Sequence, residues 1–256
     1  MSASQGVDFY RFDRTLSDEE RGIRDTVRRF VADRFLPGVR EHFRAGTFPV
    51  DLAPELGALG LLGSSVSGPG CPGLSGTAYG LICRELERGD SGLRSFASVQ
   101  GSLVMWPIAT YGTEEQKQSW LPELAAGRKV GCFGLTEADH GSDPGGMETR
   151  AVPDGDDWIV SGSKLWITNA TVADVAVVWA RTPEGVGGFL LEKGMPGFSA
   201  NAIHGKFSLR ASDTGELVMD EVRVPEANRL PGAKGLKAPL SCLNQARYGI
   251  AWGAVG

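Results

Sequence analysis

Thr136 closes a short apolar stretch and opens an acidic, glycine-containing loop, in the segment Gly131-Cys-Phe-Gly-Leu-Thr-Glu-Ala-Asp-His-Gly-Ser-Asp143. A strand that delivers Thr136 presents a hydroxyl and a backbone N–H at its end. Short polar contacts of that kind suit the pyrimidine edge of a planar cofactor. The loop N–H groups that follow, together with Ser142, suit phosphate. On the residues alone, a turn rich in small polar side chains reads equally well. Trp166-Ile167-Thr168 is a second element of the same character. Residues two apart on a strand face one way, so Trp166 and Thr168 offer an indole face and a hydroxyl to one surface. That pairing suits stacking on a ring system while bonding one of its nitrogens, and its plain alternative is a core tryptophan beside a β-favouring threonine.

Other chemistry-bearing patterns carry less. Gly68-Pro-Gly-Cys-Pro-Gly73 fits G-x-G-x-x-G by letter, but its two prolines speak for an irregular loop instead of the strand-to-helix turn a dinucleotide needs. His42, His140 and His204 are isolated, so no metal site is expected. No G-x-S-x-G elbow marks a nucleophilic serine. Asn169-Ala-Thr171 is a glycosylation sequon by letter, without a secretion signal to give it meaning.

The elements that must hold these residues come in two textures. Residues 15 to about 130 read as helical. Ser17-Asp-Glu-Glu20 is a capping box, followed by Ile23, Val27, Phe30 and Val31 at helical spacing until Pro37 ends the run. A second helix is expected over Leu52–Leu62, a third from Gly76 to Gly89, and a fourth capped by Thr113-Glu-Glu-Gln116 and stopped at Gly127. From Gly131 the apolar pattern alternates. Trp158–Gly162, Lys164–Thr168, Asp174–Ala180, Gly188–Glu192, Glu216–Asp220 and Val222–Pro225 read as short strands between Gly, Pro and Asp turns. The fold class expected is α+β: an all-α domain over 1–130, a middle antiparallel β-barrel or sandwich over 131–238, and the first helix of a C-terminal helical bundle over 239–256. That last helix, through Leu243, Arg247, Ile250 and Trp252, begins an apolar face it cannot bury alone. Either it packs back on the first domain, or the chain is a fragment, and a fragment is the reading preferred.

Bulk properties exclude some functions. With 26 basic and 31 acidic residues, the formal charge of −5 gives nucleic acid no foothold. No apolar run approaches the ~20 residues of a membrane span. Met1-Ser-Ala-Ser-Gln-Gly6 lacks the build of a signal or transit peptide, and Cys71, Cys83, Cys132 and Cys242 lie far apart, so reduced thiols and a cytoplasmic location are expected.

In this order and spacing, Gly134-Leu135-Thr136-Glu137 with Gly141-Ser142-Asp143, and Trp166-Ile167-Thr168-Asn169, resemble the acyl-CoA dehydrogenase family. His140 stands where the family carries a small residue. The resemblance implies a helical domain, a β-domain and a helical bundle, with FAD held by Phe133, Gly134, Leu135, Thr136, Gly141, Ser142, Trp166, Ile167 and Thr168. Within the family, Glu87-Arg-Gly-Asp-Ser-Gly-Leu-Arg94-Ser95, Gly205-Lys-Phe-Ser-Leu-Arg-Ala-Ser212 and Cys242-Leu-Asn-Gln-Ala-Arg-Tyr-Gly-Ile-Ala-Trp-Gly253 look like glutaryl-CoA dehydrogenase. A substrate with a second carboxylate needs a cation at the pocket floor. By this resemblance Arg94 supplies a planar fork, Ser95 a hydroxyl, and Glu87 orients the guanidinium. Without it, the two charges read as a surface pair after a helix. Leu243, Asn244 and Arg247, the last two on one helical face, would line the CoA-thioester channel, which Ser142 also approaches.

The implied activity is dehydrogenation of glutaryl-CoA with loss of CO₂ to give crotonyl-CoA. Electrons pass to an electron transfer flavoprotein, and the full-length chain is a homo-oligomer. A short-chain acyl-CoA dehydrogenase and a non-catalytic flavin- or acyl-CoA-binding remnant are the alternatives. In the family a glutamate in a Tyr-Glu-Gly-Thr-like motif removes the proton beside the thioester carbonyl. No such motif occurs in these 256 residues. No catalytic residue is therefore assigned, the base is expected beyond Gly256, and the chain alone is expected to be inactive.

Overall fold

The computed structural model describes residues 10–256, so the leader reading of Met1–Gly6 falls outside the described residues. Ser17 accepts from Glu20 N while the Glu20 carboxylate accepts from Ser17 N, and this capping box starts α1 (Asp18–Phe30). Pro37 does not end the run. The helix passes through a π-turn at Val31–Phe35 and continues as α2 (Leu36–Ala45), with Pro37 in the first turn, where its missing N–H costs nothing. Gly46, at φ 71, closes α2. The expected second helix is shorter than read, a 3₁₀ turn at Val50–Leu52 leading into α3 (Ala53–Ala58).

α4 (Gly76–Gly89) runs over the residues expected. Asp90 then caps α5 (Ser91–Ser98), a seven-residue π-helical segment follows at Val99–Met105, and α6 (Trp106–Tyr111) completes the rod. Thr113 and Gln116 form the second capping box, on α7 (Glu114–Ala125), and the chain leaves this helix through Gly127 at φ 68. Val27, Phe35, Leu56, Ile82, Leu86, Leu93 and Phe96 form the core of this helical half.

The second half is one seven-stranded sheet of β1 (Gly131–Gly134), β2 (Arg150–Asp154), β3 (Asp157–Thr168), β4 (Val175–Thr182), β5 (Gly185–Glu192), β6 (Phe198–Ala202) and β7 (Thr214–Pro225). The order is β1-β4-β2-β3-β7-β6, with β5 also on β4. The expectation of a wholly antiparallel sheet is corrected here. β1 runs parallel to β4, and β2 touches β4 in parallel at Arg150 and Arg181. The reason is that β1 arrives from α7 and not from a hairpin, so its direction is set by the helical half. β3 and β7 are continuous strands of 12 residues each, where the sequence pattern suggested breaks. Bulges between Val160 and Gly162 and between Lys164 and Ile167 bend β3, and the sheet curls round a core of Trp158, Val160, Val178, Phe189, Leu217 and Val222.

α8 (Lys237–Gly253) returns to the helical half, as the first of the two readings of its apolar face required. The Tyr248 ring stacks on Tyr79, its hydroxyl donates to Gly76 O, and Trp252 lies over Gly80, where an added Cβ would come within 2.3 Å of the indole. A third apolar cluster, including Val104, Met105, Leu121, Phe133, Leu135, Trp179, Leu230 and Cys242, seals the helical half against the sheet. All four cysteines are unpaired thiols, and burial pushes Cys71 up to about 11. No helix among the described residues is long and apolar enough to cross a membrane.

Candidate functional site

The sheet meets the helical half at a cleft of about 570 Å³, within the size range of small-molecule sites. The π-helical segment contributes Val99 and Leu103. β1 contributes Phe133, and the segment after it Leu135, Thr136, Gly141, Ser142 and Pro144. β3 contributes Trp166, Ile167 and Thr168, and α8 contributes Leu240, Leu243 and Arg247. Two helical segments, the end of β1 with its following loop, and β3 therefore converge from distant parts of the sequence on a single concave surface.

The face shared by Trp166 and Thr168 arises differently from simple strand alternation. Trp166 sits at φ 62, inside the bulge that separates Lys164 from Ile167 in the β3–β7 register. Left-handed backbone at a tryptophan is strained. It turns the indole out of the sheet, so that Trp166 remains 60% exposed while Ile167 beside it is buried. The bulge also lets Leu165 N donate to Thr136 O at 2.8 Å, which ties the two cofactor-type segments side by side. The hydroxyls of Thr136, Ser142 and Thr168 have no hydrogen-bond partner among the described residues, so they are available to a ligand.

Behind the cleft wall lies an ion pair the sequence reading missed. Lys164 is fully buried and donates to Glu137 Oε1 at 2.7 Å and to Leu135 O at 3.1 Å. Glu137 also accepts from Glu148 N and Thr149 N. Burial alone would raise the Glu137 pKa. The two amide donors and the lysine outweigh it and hold the carboxyl down at about 2. Burial lowers the Lys164 pKa against the pull of Glu137. Gly134 does not line the cleft. It lets the lysine stem cross the strand, since a Cβ there would stand 3.1 Å from Lys164 Cγ. The signal in the sequence was a lysine at an inward position of an otherwise apolar alternation, which only a buried acid could neutralise.

Arg94 is not in the cleft wall and is not a surface residue. It is 9% exposed on α5, and its Nε donates to Glu87 Oε2 of α4, while Ser91 Oγ donates to the other Glu87 oxygen. The terminal nitrogens Nη1 and Nη2 have no partner among the described residues. α8 passes directly over the pair at Gly253, where a Cβ would stand 2.8 Å from Glu87 Oε2. Ser95 is half-buried on the same helix. Asn244 lies outside the cleft lining, one helical turn from Arg247.

Gly256, the residue beyond which the base is expected, also lies outside the cleft lining. Its N donates to Gly253 O at 2.7 Å, and an added Cβ would stand 2.1 Å from Arg84 O. The turn after α8 therefore rests against α4.

These features define a two-layer protein with a helical half, a curled sheet and a cleft at their junction. Residues 17–128 match the acyl-CoA dehydrogenase N-terminal domain and residues 132–222 the acyl-CoA dehydrogenase middle domain. The chain belongs to the acyl-CoA dehydrogenase family. A glutaryl-CoA dehydrogenase from Mycobacterium smegmatis, solved in complex with FADH2, superposes with a TM-score of 0.94 at 58% identity, over 96% of this chain and 64% of that one. A chain from a structure of the electron transferring flavoprotein of Acidaminococcus fermentans gives 0.88 at 36% identity, over 97% of this chain and 66% of its own length. The mitochondrial short-chain specific acyl-CoA dehydrogenase of Bos taurus is 36% identical over 252 residues, 94% of this chain and 60% of that one. The chain thus spans about 60% of the length of the curated relatives it matches.

Proposed function

We propose that this chain is the FAD- and acyl-CoA-binding part of a dehydrogenase for glutaryl-CoA. The full-length, homo-oligomeric enzyme would release crotonyl-CoA and CO₂ and pass its electrons to an electron transfer flavoprotein. The observation that carries the flavin assignment is the cleft. Eight of the nine residues expected to hold FAD line it, every one except Gly134. The residues fit the group, because three unpartnered hydroxyls and an exposed indole are what a planar, polar-edged ring system needs. Thr136 and Thr168 would bond the ring edge, Trp166 would cover its face, and Ser142 with the Gly141 loop would take phosphate. Bound there, FAD supplies a hydride acceptor.

Arg94 supports the dicarboxylate. Glu87 occupies its Nε edge and fixes the guanidinium plane, which leaves the two terminal nitrogens as a fork for a carboxylate. Leu243 and Arg247 would flank the CoA-thioester channel. Arg247 is exposed, as a group that meets phosphate should be. No cleft-lining residue is a carboxylate, histidine or cysteine, so none can serve as general base. In the full-length enzyme the base would follow Gly256, and the isolated chain would bind both ligands without turning substrate over. That same absence favours a second reading, a flavin- or acyl-CoA-binding partner without catalysis. The likeness to the Bos taurus enzyme keeps an uncharged short-chain substrate as the alternative within the family.

The test is the visible absorption spectrum of the purified 256-residue protein supplied with FAD, titrated with glutaryl-CoA and with butyryl-CoA. A bound-flavin spectrum perturbed at lower concentrations of glutaryl-CoA than of butyryl-CoA is expected, without bleaching. A protein that takes up no FAD sinks the flavin assignment, and equal response to both thioesters sinks the dicarboxylate.

A further inference from the structure

Three walls of the cleft are tied to one another at a single residue, Gly131, which does not itself line it. Gly131 N donates to Gln100 Oε1 at 2.8 Å, and Gly131 O accepts from Asn169 Nδ2 at 3.2 Å. Gln100 is fully buried in the π-helical segment between the cleft residues Val99 and Leu103. Gly131 opens β1, and Thr136 follows two residues after that strand ends. Asn169 is 1% exposed and directly follows Thr168. Each wall therefore sends one group to the same glycine.

The arrangement has little freedom. The Gln100 amide also donates to Leu124 O at 2.9 Å and Lys129 O at 2.8 Å, which anchors it to the end of α7 and the crossing between the two halves. Asn169 is held at φ 67, a conformation asparagine tolerates better than most residues. Gly131 cannot carry a side chain, since a Cβ would lie 2.5 Å from Val104 Cγ1 of the π-helical segment. A π-helical segment of seven residues is unusual, and such irregularities gather at functional sites. Here it puts Gln100 against Gly131 and Val99 with Leu103 into the cleft on one short stretch.

We propose that Gln100 and Asn169 are positioning residues: through Gly131 they set the separation of the three walls, and hence the width of the slot that Thr136 and Thr168 offer to a planar ligand. This rests on the flavin reading of the cleft for the identity of that ligand, but the spacing itself does not. Both residues act through backbone and touch no ligand. A purely structural bolt between the two halves would stabilise the fold equally well, so the test must separate affinity from stability.

Asn169→Gly is the first variant, because glycine accepts φ 67, so the amide donor and its small buried side chain are lost without backbone strain. Gln100→Met keeps the bulk and removes all three hydrogen bonds. Val27→Ala, in the core of the helical half, is the destabilised control. FAD affinity would be measured by quenching of flavin fluorescence on the whole chain, beside amide hydrogen exchange without ligand. Asn169→Gly is expected to weaken FAD at least tenfold, and Gln100→Met likewise. Val27→Ala should bind as the native chain does even though it unfolds more easily. In the ligand-free protein, exchange should quicken together across 99–104, 132–136 and 165–168 in Asn169→Gly, while 18–30 stays unchanged. FAD affinity within twofold of the native value in Asn169→Gly overturns the proposal. If the native chain itself takes up no FAD, the flavin reading fails and exchange alone decides the spacing. Unchanged exchange in all three segments then overturns it. Should Gln100→Met not fold, Asn169→Gly carries both readouts.

Discussion

Lys164 Nζ lies 2.7 Å from Glu137 Oε1, with the lysine wholly and the glutamate almost wholly out of solvent, one residue beyond the Thr136 that faces the cleft. The pair holds the turn after β1 against the bend in β3. A buried pair is weak evidence for net stability, but breaking it leaves one charge stranded. Lys164→Met should therefore cost on the order of 3–5 kcal/mol in urea unfolding, and Lys164→Met with Glu137→Gln, which keeps an acceptor for the Glu148 and Thr149 amides, should recover part of that loss. A single-variant cost below about 1 kcal/mol would show that Glu137 is already satisfied by the amides of Glu148 and Thr149.

The same carboxylate sets an acid limit. Its folded pKa, held at about 2, lies below its usual 4.5, so the stability it contributes is complete above pH 4.5. That contribution is lost as pH falls from 4.5 towards 2, because the unfolded chain takes up the proton first. Unfolding free energy measured against pH should drop across that window in the native chain, and more steeply than in Glu137→Gln. Parallel curves for the two proteins would remove Glu137 from the account.

Much of this was open to reading in the sequence, for physical reasons that also mark where reading stopped. Capping boxes at Ser17 and Thr113 are local, and local hydrogen bonds survive folding unchanged. Thr136, Trp166 and Thr168 were singled out through the family resemblance, because by type alone they read as well as a polar turn and a core tryptophan beside a β-favouring threonine. Pro37 misled because a proline in a first helical turn and a proline after a last one look alike without the π-turn between them. The direction of β1 depends on which element precedes it in space, and no alternation pattern records that. Lys164 and Gln100 were missed since a buried polar side chain is recognisable only with its partners, and Glu137, Leu124, Lys129 and Gly131 all lie more than 20 residues away.

Gly80 tests how firmly α8 is seated. Alanine in a helix interior gains up to about 1 kcal/mol over glycine. The Gly80→Ala methyl would meet Trp252 at 2.3 Å, however, and overpacking of that kind typically costs about 1–3 kcal/mol or more. Packing should win, with a net loss of stability and a red-shifted tryptophan emission as Trp252 loosens. A stabilised Gly80→Ala protein would mean that α8 does not rest on α4 in solution.

The two threonine hydroxyls can be examined one at a time. Thr136→Val and Thr168→Val preserve shape and remove a donor. A neutral hydrogen bond is worth roughly 0.5–1.5 kcal/mol, so each change should weaken FAD about 2- to 12-fold. Neither should move the unfolding midpoint of the ligand-free protein much, since neither hydroxyl has a partner within the described residues. Undiminished FAD binding in both variants would place the ring elsewhere than between these strands.

Arg94 separates recognition of a dicarboxylate from simple packing. Arg94→Lys keeps a positive charge beside Glu87 but loses the two terminal nitrogens that Glu87 leaves unpartnered. A charge-assisted bond is worth about 1.5–3 kcal/mol, so spectral titration should find glutaryl-CoA bound roughly 10- to 150-fold more weakly by Arg94→Lys. Butyryl-CoA, without a distal carboxylate, should bind the same variant almost as the native chain does. Arg94→Ala is the less clean change, since it also strands Glu87 beneath Gly253 and disturbs the packing of α8 on α4. If Arg94→Lys loses both thioesters equally, the arginine serves the α4–α5–α8 junction and not the ligand, and the short-chain alternative gains the ground that the dicarboxylate gives up.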